Sequence, residues 1–305
     1  MSPSALVTGS SGFVGRHIAA ELVARGWEVD GIDLRGAHGS LAAHRHSQID
    51  ALQFFRDVTH QFDLVVHCAY TVGGRATIDG QPMALAGNLL LDASLFRWAL
   101  ATGQKAVLYY SSSAAYPVSM QTRHSFSTQL REDYIDLADM RQPDANYGWA
   151  KITGERLAAA AAHEGLRVHV VRPFSGYGAT QDLDYPFPAI VGRAAQRQDP
   201  LDVWGDQDQI RDWIHITDVV RASLAVVDAD ERQPVNLCTG LGTSMADLIG
   251  IAARQVGYDP GVNVLADKPM GVFRRVGHPA RMHELYVPQV SIEDGVAEAL
   301  RRYGD

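Results

Sequence analysis

The sequence predicts an α/β protein with a doubly wound parallel sheet, followed by a smaller C-terminal α/β region. Three observations support this class. Apolar runs typical of strands alternate with helix-like segments through the first half of the 305-residue chain. A glycine-rich turn at residues 8–15 separates the first strand-like run from the first helix-like segment. After residues 172–173 the alternation stops, and a stretch rich in Gly, Pro, Asp and Gln begins.

The individual elements can be placed along the chain from these patterns. Short apolar runs predict strands at 5–8, 28–32, 46–49, 64–69, 107–110 and 168–171. Apolar residues at helical spacing predict helices over 12–25, 85–101 and 147–163. Six strands with crossovers between them are typical of the Rossmann arrangement, which binds dinucleotides.

The second half is expected to serve a different purpose. Residues 175–206 carry four aromatic side chains, and we expect a substrate-facing insertion there rather than more sheet. A helix near 217–227, a strand at 235–238 and helices at 244–256 and 291–303 are predicted to follow. We therefore expect a cofactor-binding domain over 1–172, to which 210–240 returns, and a substrate-binding domain mainly over 173–305.

Composition excludes several classes of protein. Apolar residues make up 46% and charged residues 20% of the chain, as in ordinary globular proteins. The net charge of −8, with no basic stretch to offset it, argues against a nucleic-acid partner. No apolar run is long enough to span a membrane, and the chain enters a strand too early for a signal peptide. With only two cysteines, and with His44 and His46 lacking a third ligand, we expect a cytoplasmic protein without a metal site.

The glycine-rich turn is the predicted cofactor site. Gly9 would permit a tight turn, Gly12 the close approach of a diphosphate, and Gly15 close packing of helix on strand. The free N–H groups at the start of the helix favour the negative charge of the diphosphate. The predicted contacts here are Gly9, Ser11, Gly12, Phe13, Val14 and Gly15.

Acidic residues at the ends of the next strands indicate the type of cofactor. Asp33 ends the second strand, where a carboxylate accepts hydrogen bonds from the adenosine ribose. This favours NAD over NADP, although Arg35 could pair with a 2′-phosphate. Asp50, followed by Ala51, is the predicted adenine contact; its competitor Asp57 lies too close to the next strand to leave room for a crossover helix.

Tyr147 and Lys151 form the predicted catalytic pair. Their spacing of four residues places both side chains on one face of a helix. A lysine ammonium beside a phenol favours the phenolate and would lower the pKa of Tyr147 towards the working range. A serine triplet, residues 111–113, ends a predicted strand upstream.

Taken together, these motifs resemble those of the extended short-chain dehydrogenase/reductase family, in particular its NAD-dependent nucleotide-sugar epimerases and dehydratases. Residues 8–15 match T-G-x-x-G-x-x-G, and 147–151 match Y-x-x-x-K. Residues 111–117 match S-S-x-x-x-Y-G with proline for glycine, and 211–215 match R-D-[FWY]-[IV]-[HY]. Residues 64–69 match a strand motif ending H-x-A-A, with Tyr70 in place of the second alanine, and Asn88 matches a helix asparagine.

The resemblance implies a role for each matching residue. Tyr147 would take the proton from a sugar hydroxyl, Lys151 would also hold the nicotinamide ribose, and Ser112 would hydrogen-bond the reacting oxygen. Arg211 would bind the diphosphate of a nucleotide sugar, with Arg274 or Arg275 as a second contact; Arg275 is the predicted one. Cys68 and Ala69 are the further expected cofactor contacts, and Thr71, Ser113 and Ser175 the further substrate contacts. Ser175 replaces the usual asparagine.

The departures from the family pattern bear on the reaction. The 4,6-dehydratases carry an acid after the catalytic Ser/Thr, whereas Ala114 and Ala115 follow here. The Val72-Gly73-Gly74 run and the Tyr116-Pro117 pair resemble the GDP-fucose synthase and GDP-mannose 3,5-epimerase branch, but Ala114 replaces the cysteine of that branch. We expect a C4 epimerase that acts through a transient 4-keto sugar.

Three alternatives stay open: an NAD(P)H-dependent reductase of a keto sugar or another carbonyl, another nucleotide-sugar dehydratase or epimerase that begins with a 4-keto step, and a catalytically idle dinucleotide sensor. A homodimer is expected through the helix that carries Tyr147 and the helix before the fifth strand. The residues that would supply either this surface or the core are Leu89, Leu90, Leu95, Phe96, Trp98 and Leu157.

Overall fold

The structure is a computed structural model that describes residues 2–37, 45–73, 79–125 and 128–303. His44, of the excluded histidine pair, lies outside the described residues. The strands are β1 (Ser4–Thr8), β2 (Glu28–Asp33), β3 (Arg45–Gln48), β4 (Leu64–His67), β5 (Ala106–Tyr110), β6 (Arg167–Pro173), β7 (Ser175–Tyr177), β8 (Leu201–Trp204), β9 (Ile210–Arg211), β10 (Trp213–His215), β11 (Val235–Leu237), β12 (Thr243–Ser244), β13 (Val262–Leu265) and β14 (Arg274–Arg275). The helices are α1 (Phe13–Ala24), α2 (Ala51–Asp57), α3 (Ala84–Thr102), α4 (Ala145–His163), α5 (Pro186–Ala195), α6 (Ile216–Asp228), α7 (Met245–Val256), α8 (Ala280–His283) and α9 (Ile292–Tyr303).

A seven-stranded sheet forms the centre of the molecule, in the order β11-β6-β5-β4-β1-β2-β3. Every neighbouring pair in it is parallel. The strand order reverses between β1 and β4, which is the point at which doubly wound sheets bind their ligands. The predicted fold class is confirmed. The seventh strand, β11, comes from the segment that the sequence predicted to return to this domain.

Helices cover both faces of the sheet. Alternate residues of β1 point to opposite faces, so Ala5 and Val7 join a core under α1 and α6, whereas Leu6 joins a core under α2, α3 and α4. Leu95, Phe96 and Trp98 are buried in this second core, so they cannot form the dimer surface considered for them. Leu90 is 54% exposed and is free to do so.

A second region with its own core lies beyond β6. It is built from short paired strands, β7 with β10, β8 with β13, and β9 between β12 and β14. Residues 175–206, expected to be an insertion rather than more sheet, contain β7, α5 and β8. As expected, neither strand joins the main sheet. Tyr177 and Phe187 are fully buried in this core because they pack on each other and on Trp213. In the described residues, no helix combines the length and apolar character needed to cross a bilayer.

Candidate active site

The turn after β1 lies at the sheet's switch point and tolerates only glycine at two positions. Gly9 has φ +67°, and a Cβ there would lie 2.7 Å from the backbone nitrogen of Ala69. A Cβ on Gly15 would overlap the carbonyl oxygen of Gly9. The predicted cofactor contacts Gly9, Cys68 and Ala69 are thus brought together, because the Ala69 N–H donates to Thr8 Oγ1 (3.1 Å) and holds the end of β4 against this turn.

The first turn of α1 fits an anionic group. Gly12 is the N-cap residue and supplies no side chain to the N–H groups of the first helical turn. Phe13 and Val14 are the first two residues of the helix, so their backbone N–H groups belong to the same free helix start. Free N–H groups at a helix start, approached over a glycine, are the usual diphosphate site of this architecture.

Asp33 lies beside this turn at the carboxyl end of β2. Its carboxylate accepts hydrogen bonds from the Ser11 N–H (3.0 Å) and the Arg35 N–H (2.9 Å). The Arg35 guanidinium bends back towards the same carboxylate, with Nε 3.4 Å from Oδ1. An acid here suits the two hydroxyls of an adenosine ribose and repels a 2′-phosphate, so the residues present fit NAD.

Asp50 and Asp57 lie at opposite ends of α2. Asp50 is the N-cap residue, follows β3 after one intervening residue and is exposed at the carboxyl edge of the sheet. Ala51 begins the helix and is buried. Asp57 ends this crossover helix, and no further helix lies between Asp57 and β4, in agreement with the reason for preferring Asp50. The geometry therefore supports Asp50, at the start of the helix, as the predicted adenine contact.

The serine triplet and α4 come together through close backbone packing. Ser112 caps the short 3₁₀ turn Ser113–Ala115, and its Oγ accepts from the Ala114 N–H (3.1 Å). The Asp144 N–H donates to the Ala114 carbonyl (2.9 Å), and a Cβ on Gly148 would overlap that carbonyl. The start of α4 is thereby held against the turn, which brings Tyr147 to Ser112.

Burial dominates the ionisation of Tyr147 in this structure. It raises the pKa of the phenol above its ordinary value, Tyr185 adds to the rise, and a hydrogen bond with Ser112 offsets part of it. The predicted lowering of the Tyr147 pKa by Lys151 is not present. The Lys151 Nζ lies 5.7 Å from the centre of the Tyr147 ring and is directed elsewhere.

Lys151 is buried among carbonyl and aromatic groups. Its Nζ donates to the carbonyl oxygen of Tyr110 at the end of β5 (2.7 Å) and lies 3.2 Å from the centre of the Tyr70 ring. Burial lowers the pKa of Lys151 to about 8, and the charge of Asp92 opposes that change. The ammonium is therefore held at the carboxyl edge with its charge only partly compensated.

Two of the predicted phosphate-binding arginines are neighbours. Arg275 of β14 pairs in register with Arg211 of β9, so both side chains leave the small sheet on the same face. The Arg275 guanidinium contacts Asp144 (2.7 Å), the residue before α4, while Arg211 Nη1 donates to the carbonyl oxygen of Ile210 (2.9 Å). Arg274 is one position out of phase and donates to the Ser125 carbonyl (3.0 Å). This register supports the choice of Arg275.

Asp212 directly follows β9 of this small sheet and lies beside Ser175 of β7. The Ser175 N–H donates to the Asp212 carbonyl (3.0 Å), so the serine that replaces the expected asparagine lies beside the strand after Arg211. The buried Asp212 carboxylate accepts from the backbone of Thr239, Gly240 and Gly277 (2.8–3.1 Å). Asp212 thus fixes the loop geometry around Arg211.

Thr71 and Asn88 line a shallow concavity next to Tyr147. The Asn88 amide accepts from the Thr71 N–H (2.8 Å) and donates to its carbonyl oxygen (3.0 Å). Asn88 therefore fixes the loop after β4. Ser113, by contrast, is buried, whereas Ser112 is half-exposed.

Two buried clusters escaped the sequence reasoning. Arg172 forms a two-point ion pair with Glu155 (2.9 and 2.7 Å), and Glu155 also accepts from Ser111. Tyr70 donates to Asp92 (3.1 Å), and its ring lies against the ammonium of Lys151. Of the residues in these two clusters, only Tyr70 was noticeable in the sequence, because it replaces the second alanine of the family's H-x-A-A motif.

Comparison with known proteins identifies the family. The model of the NAD dependent epimerase/dehydratase family matches residues 5–238. The chain belongs to this family. The recognition made from the motifs is confirmed, and so is NAD as the cofactor.

Members similar to this chain over its whole length differ in reaction. A dTDP-4-dehydro-6-deoxy-D-allose reductase of a Streptomyces species is 27% identical, over 98% of this chain and 95% of the relative. MoeE5, solved with UDP-glucuronic acid and NAD, superposes with TM-score 0.82 at 26% identity, over 98% of both chains. The UDP-glucose 4-epimerase of Thermus thermophilus has TM-score 0.83 at 20% identity, over 98% of both chains, and this likeness shows the fold alone. This protein is thus an enzyme of a nucleotide-sugar epimerase, dehydratase and reductase family.

Proposed function

We propose that this protein is a nucleotide-sugar C4 epimerase that acts through a transient 4-keto sugar. One observation carries the proposal. Ser112, Tyr147 and Lys151 meet at the carboxyl edge of β5, while the positions that follow Ser112 provide no acid for the expulsion of water. Such a set can transfer a proton and support a hydride transfer, but has no group for elimination.

The roles of the three residues follow from their positions. Tyr147, in its phenolate form, accepts the proton of the C4 hydroxyl, and Ser112 Oγ donates a hydrogen bond to the reacting oxygen. Lys151 provides a positive charge at the carboxyl edge of β5 and would donate to the nicotinamide ribose. NAD, when bound, supplies the acceptor and later the donor of the hydride. Lys151 is buried, whereas Ser112 and Tyr147 are partly exposed and accessible to a sugar.

The alanines after Ser112 separate this reaction from its relatives. Ala114 and Ala115 are buried, so no carboxyl group is delivered to C5 or C6 from this turn. The cysteine that the 3,5-epimerase branch carries at position 114 is likewise missing. We therefore place the chemistry at C4 alone.

Arg211, Arg275 and Ser175 are proposed to bind the diphosphate. Two guanidiniums on one face of a small sheet suit the oxygens of two linked phosphates. Asp144, which contacts Arg275 now, would share it with a phosphate. The proposed division of labour is that residues 1–172 with 210–240 hold NAD and that 173–305 mainly hold the nucleotide sugar.

A second candidate is a keto-sugar reductase. It is favoured by the full-length similarity to the dTDP-4-dehydro-6-deoxy-D-allose reductase. The same Ser112, Tyr147 and Lys151 would then protonate a C4 carbonyl oxygen as hydride arrives. A reductase consumes one reduced cofactor for each product, whereas an epimerase recovers its cofactor every cycle, and this difference separates the two.

The test is proton NMR of the purified protein with a panel of UDP-, GDP-, dTDP- and CDP-sugars and no added cofactor. Conversion of one sugar to its C4 epimer supports the epimerase. Turnover only when NADH or NADPH and a 4-keto sugar are supplied replaces it with the reductase. Tyr147→Phe is the control, since it removes the proton-transfer group and keeps the ring.

Two further expectations belong to this proposal. We expect a homodimer through α3 and α4, which pack side by side on one face of the sheet, with Leu90 at its surface. Light scattering of wild-type protein and Leu90→Glu would measure it. A cytoplasmic location is consistent with two free cysteines, Cys68 and Cys238.

A further inference from the structure

Tyr70 occupies a position where the family motif has a small residue. It lies in the loop after β4, and its ring contacts two residues of the predicted catalytic set. The Tyr70 and Tyr147 rings meet edge to face, with centres 6.0 Å apart and planes at 85°. The Lys151 Nζ lies over the face of the Tyr70 ring, 3.2 Å from its centre.

The position of Lys151 Nζ is favourable for a cation–π interaction. A lysine ammonium within about 6 Å of a ring centre is attracted by the negative face of the ring, and more strongly when water is excluded. The Tyr109 ring is also near, but its centre is 5.4 Å from Nζ. Tyr70 therefore provides the closest aromatic face, and Lys151 is almost fully buried beneath it.

Asp92 fixes the orientation of the Tyr70 ring. The Tyr70 and Tyr109 hydroxyls donate to the same oxygen, Oδ2 of Asp92, at 3.1 and 2.8 Å. His67 Nε2 lies 3.5 Å from the other oxygen. Asp92 is fully buried, and among the described residues its hydrogen-bond donors are these two phenols.

The space for this carboxylate is made by α4 itself. A Cβ on Gly154 would lie 2.6 Å from Asp92 Oδ2, so only glycine at this position of the catalytic helix leaves room for it. A buried carboxylate without a charged partner is costly, and a cation nearby reduces that cost. The ammonium of Lys151, which lies over the Tyr70 ring, is the cation that reduces the cost of burying Asp92.

We propose that Tyr70 and Asp92 are positioning residues for Lys151: the Tyr70 ring covers the ammonium, and Asp92 holds the ring in place and balances the charge. The inference rests on the catalytic role proposed for Lys151. It adds that this chain fixes its lysine from the β4 side, through a side chain that the family motif does not provide. The ionisable groups around Lys151 are Cys68, Tyr70, Asp92, Tyr109, Tyr110, Tyr147 and Glu155.

The chain offers a direct way to observe this arrangement. It contains three lysines, at positions 105, 151 and 268. Lys105 and Lys268 are exposed, so their signals serve as internal references. Protein labelled with ¹³C at the lysine ε-carbon gives one NMR signal for each, and Lys151→Arg assigns the third. No cofactor or sugar is needed.

The expected signature is a ring-current shift. In wild-type protein the Lys151 ε-protons appear upfield of those of the two reference lysines. Tyr70→Phe keeps the ring and retains the shift; Tyr70→Leu keeps a similar apolar volume and loses most of it. Tyr70→Ala, which restores the family residue, loses it as well. Equal shifts in the Phe and Leu variants would overturn the proposal.

A pH titration of the same signals tests Asp92. Asp92→Asn keeps the size of the side chain and removes its charge, so the pKa of Lys151 should fall. The expected fall is about one unit, because the carboxylate lies beyond the Tyr70 hydroxyl and does not contact the ammonium directly. Asp63→Asn, which changes the partner of exposed Lys105, is the matched control and should leave Lys151 unchanged. A Lys151 pKa unaffected by Asp92→Asn would contradict the charge-balancing role.

Binding of NAD gives the functional readout. By quenching of protein fluorescence, Tyr70→Leu should bind NAD roughly tenfold more weakly than Tyr70→Phe, the change expected when one buried cation–π contact is lost. A purely structural role would weaken both variants together. If the NMR signature is present but no sugar in the panel is converted, the proposed function fails and the positioning role stands. If sugars are converted but the ring-current shift is absent, the proposed function stands and the positioning role of Tyr70 fails.

Discussion

Two buried cations on neighbouring elements meet opposite conditions. Arg172 of β6 and Lys151 of α4 are 2% and 4% exposed. Arg172 has a two-point contact with the Glu155 carboxylate and a further bond to the Glu132 carbonyl (2.9 Å). Lys151 has a single carbonyl and a set of aromatic rings.

The pKa values of the two groups move in opposite directions. Burial alone lowers both, but the Glu155 carboxylate more than reverses this for Arg172 and raises its pKa. For Lys151, Asp92 offsets only part of the effect of burial, and the pKa falls to about 8. The comparison teaches that a fully paired buried cation fixes structure, whereas a partly paired one remains available for chemistry.

The largest expected effect is on catalysis at the partly paired cation. Lys151→Met should reduce the rate on the sugar identified by NMR by about 10²–10⁴-fold, because the active site loses its buried positive charge and the donor proposed for the nicotinamide ribose. Its free energy of unfolding should be unchanged or higher, since a costly buried charge is removed. Initial rates and urea unfolding measure both. An active Lys151→Met protein would break the comparison.

The next effect is on stability at the fully paired cation. Arg172→Met should lower the free energy of unfolding by about 3–5 kcal/mol, because it leaves Glu155 buried without its partner. The double variant Arg172→Met with Glu155→Leu should recover most of the loss. Equilibrium urea unfolding checks this. A single variant as stable as wild type would show that Arg172 is not the structural member of the pair.

A smaller effect concerns the half-buried pair of arginines, Arg211 and Arg275. Arg211→Lys keeps the charge but loses the forked geometry, and KM for the nucleotide sugar should rise about tenfold with kcat little changed. Arg274→Lys, on the opposite face of the same small sheet, is the matched control and should leave KM unchanged. Steady-state kinetics separate the two. Equal effects would place the diphosphate elsewhere.

The smallest effect near neutral pH is the titration of Lys151. Because its pKa is depressed to about 8, the ammonium predominates below that pH and is lost above it. The rate should therefore fall above about pH 8, and Lys151→Arg should remove this alkaline limb. Between about pH 8 and 10.5 the unfolded state binds more protons at this lysine, so its contribution to stability should rise with pH. A flat rate from pH 7 to 9.5 would contradict the depressed pKa.

Local patterns were sufficient for much of the site. The glycine turn, Asp33 and the spacing of Tyr147 to Lys151 each depend on a few neighbouring residues within or beside one strand or helix. They could therefore be predicted from the sequence. The partners of the buried charges could not. Asp92 lies 22 residues from Tyr70, and Glu155 lies 17 from Arg172, so neither pairing leaves a periodic trace. The register that sets Arg275 beside Arg211 depends on the pairing of two short strands.

By itself, the sequence determined the strands of the central sheet, most of the long helices, the glycine turn at the switch point and the types of residue available for chemistry. These follow from chain geometry, since backbone periodicity and turn requirements act over a few residues. Only the tertiary structure decided which way Lys151 directs its charge and what compensates it. Burial and Coulomb interactions depend on distances between elements, so the lysine expected to act on Tyr147 lies instead against Tyr70 and Tyr110.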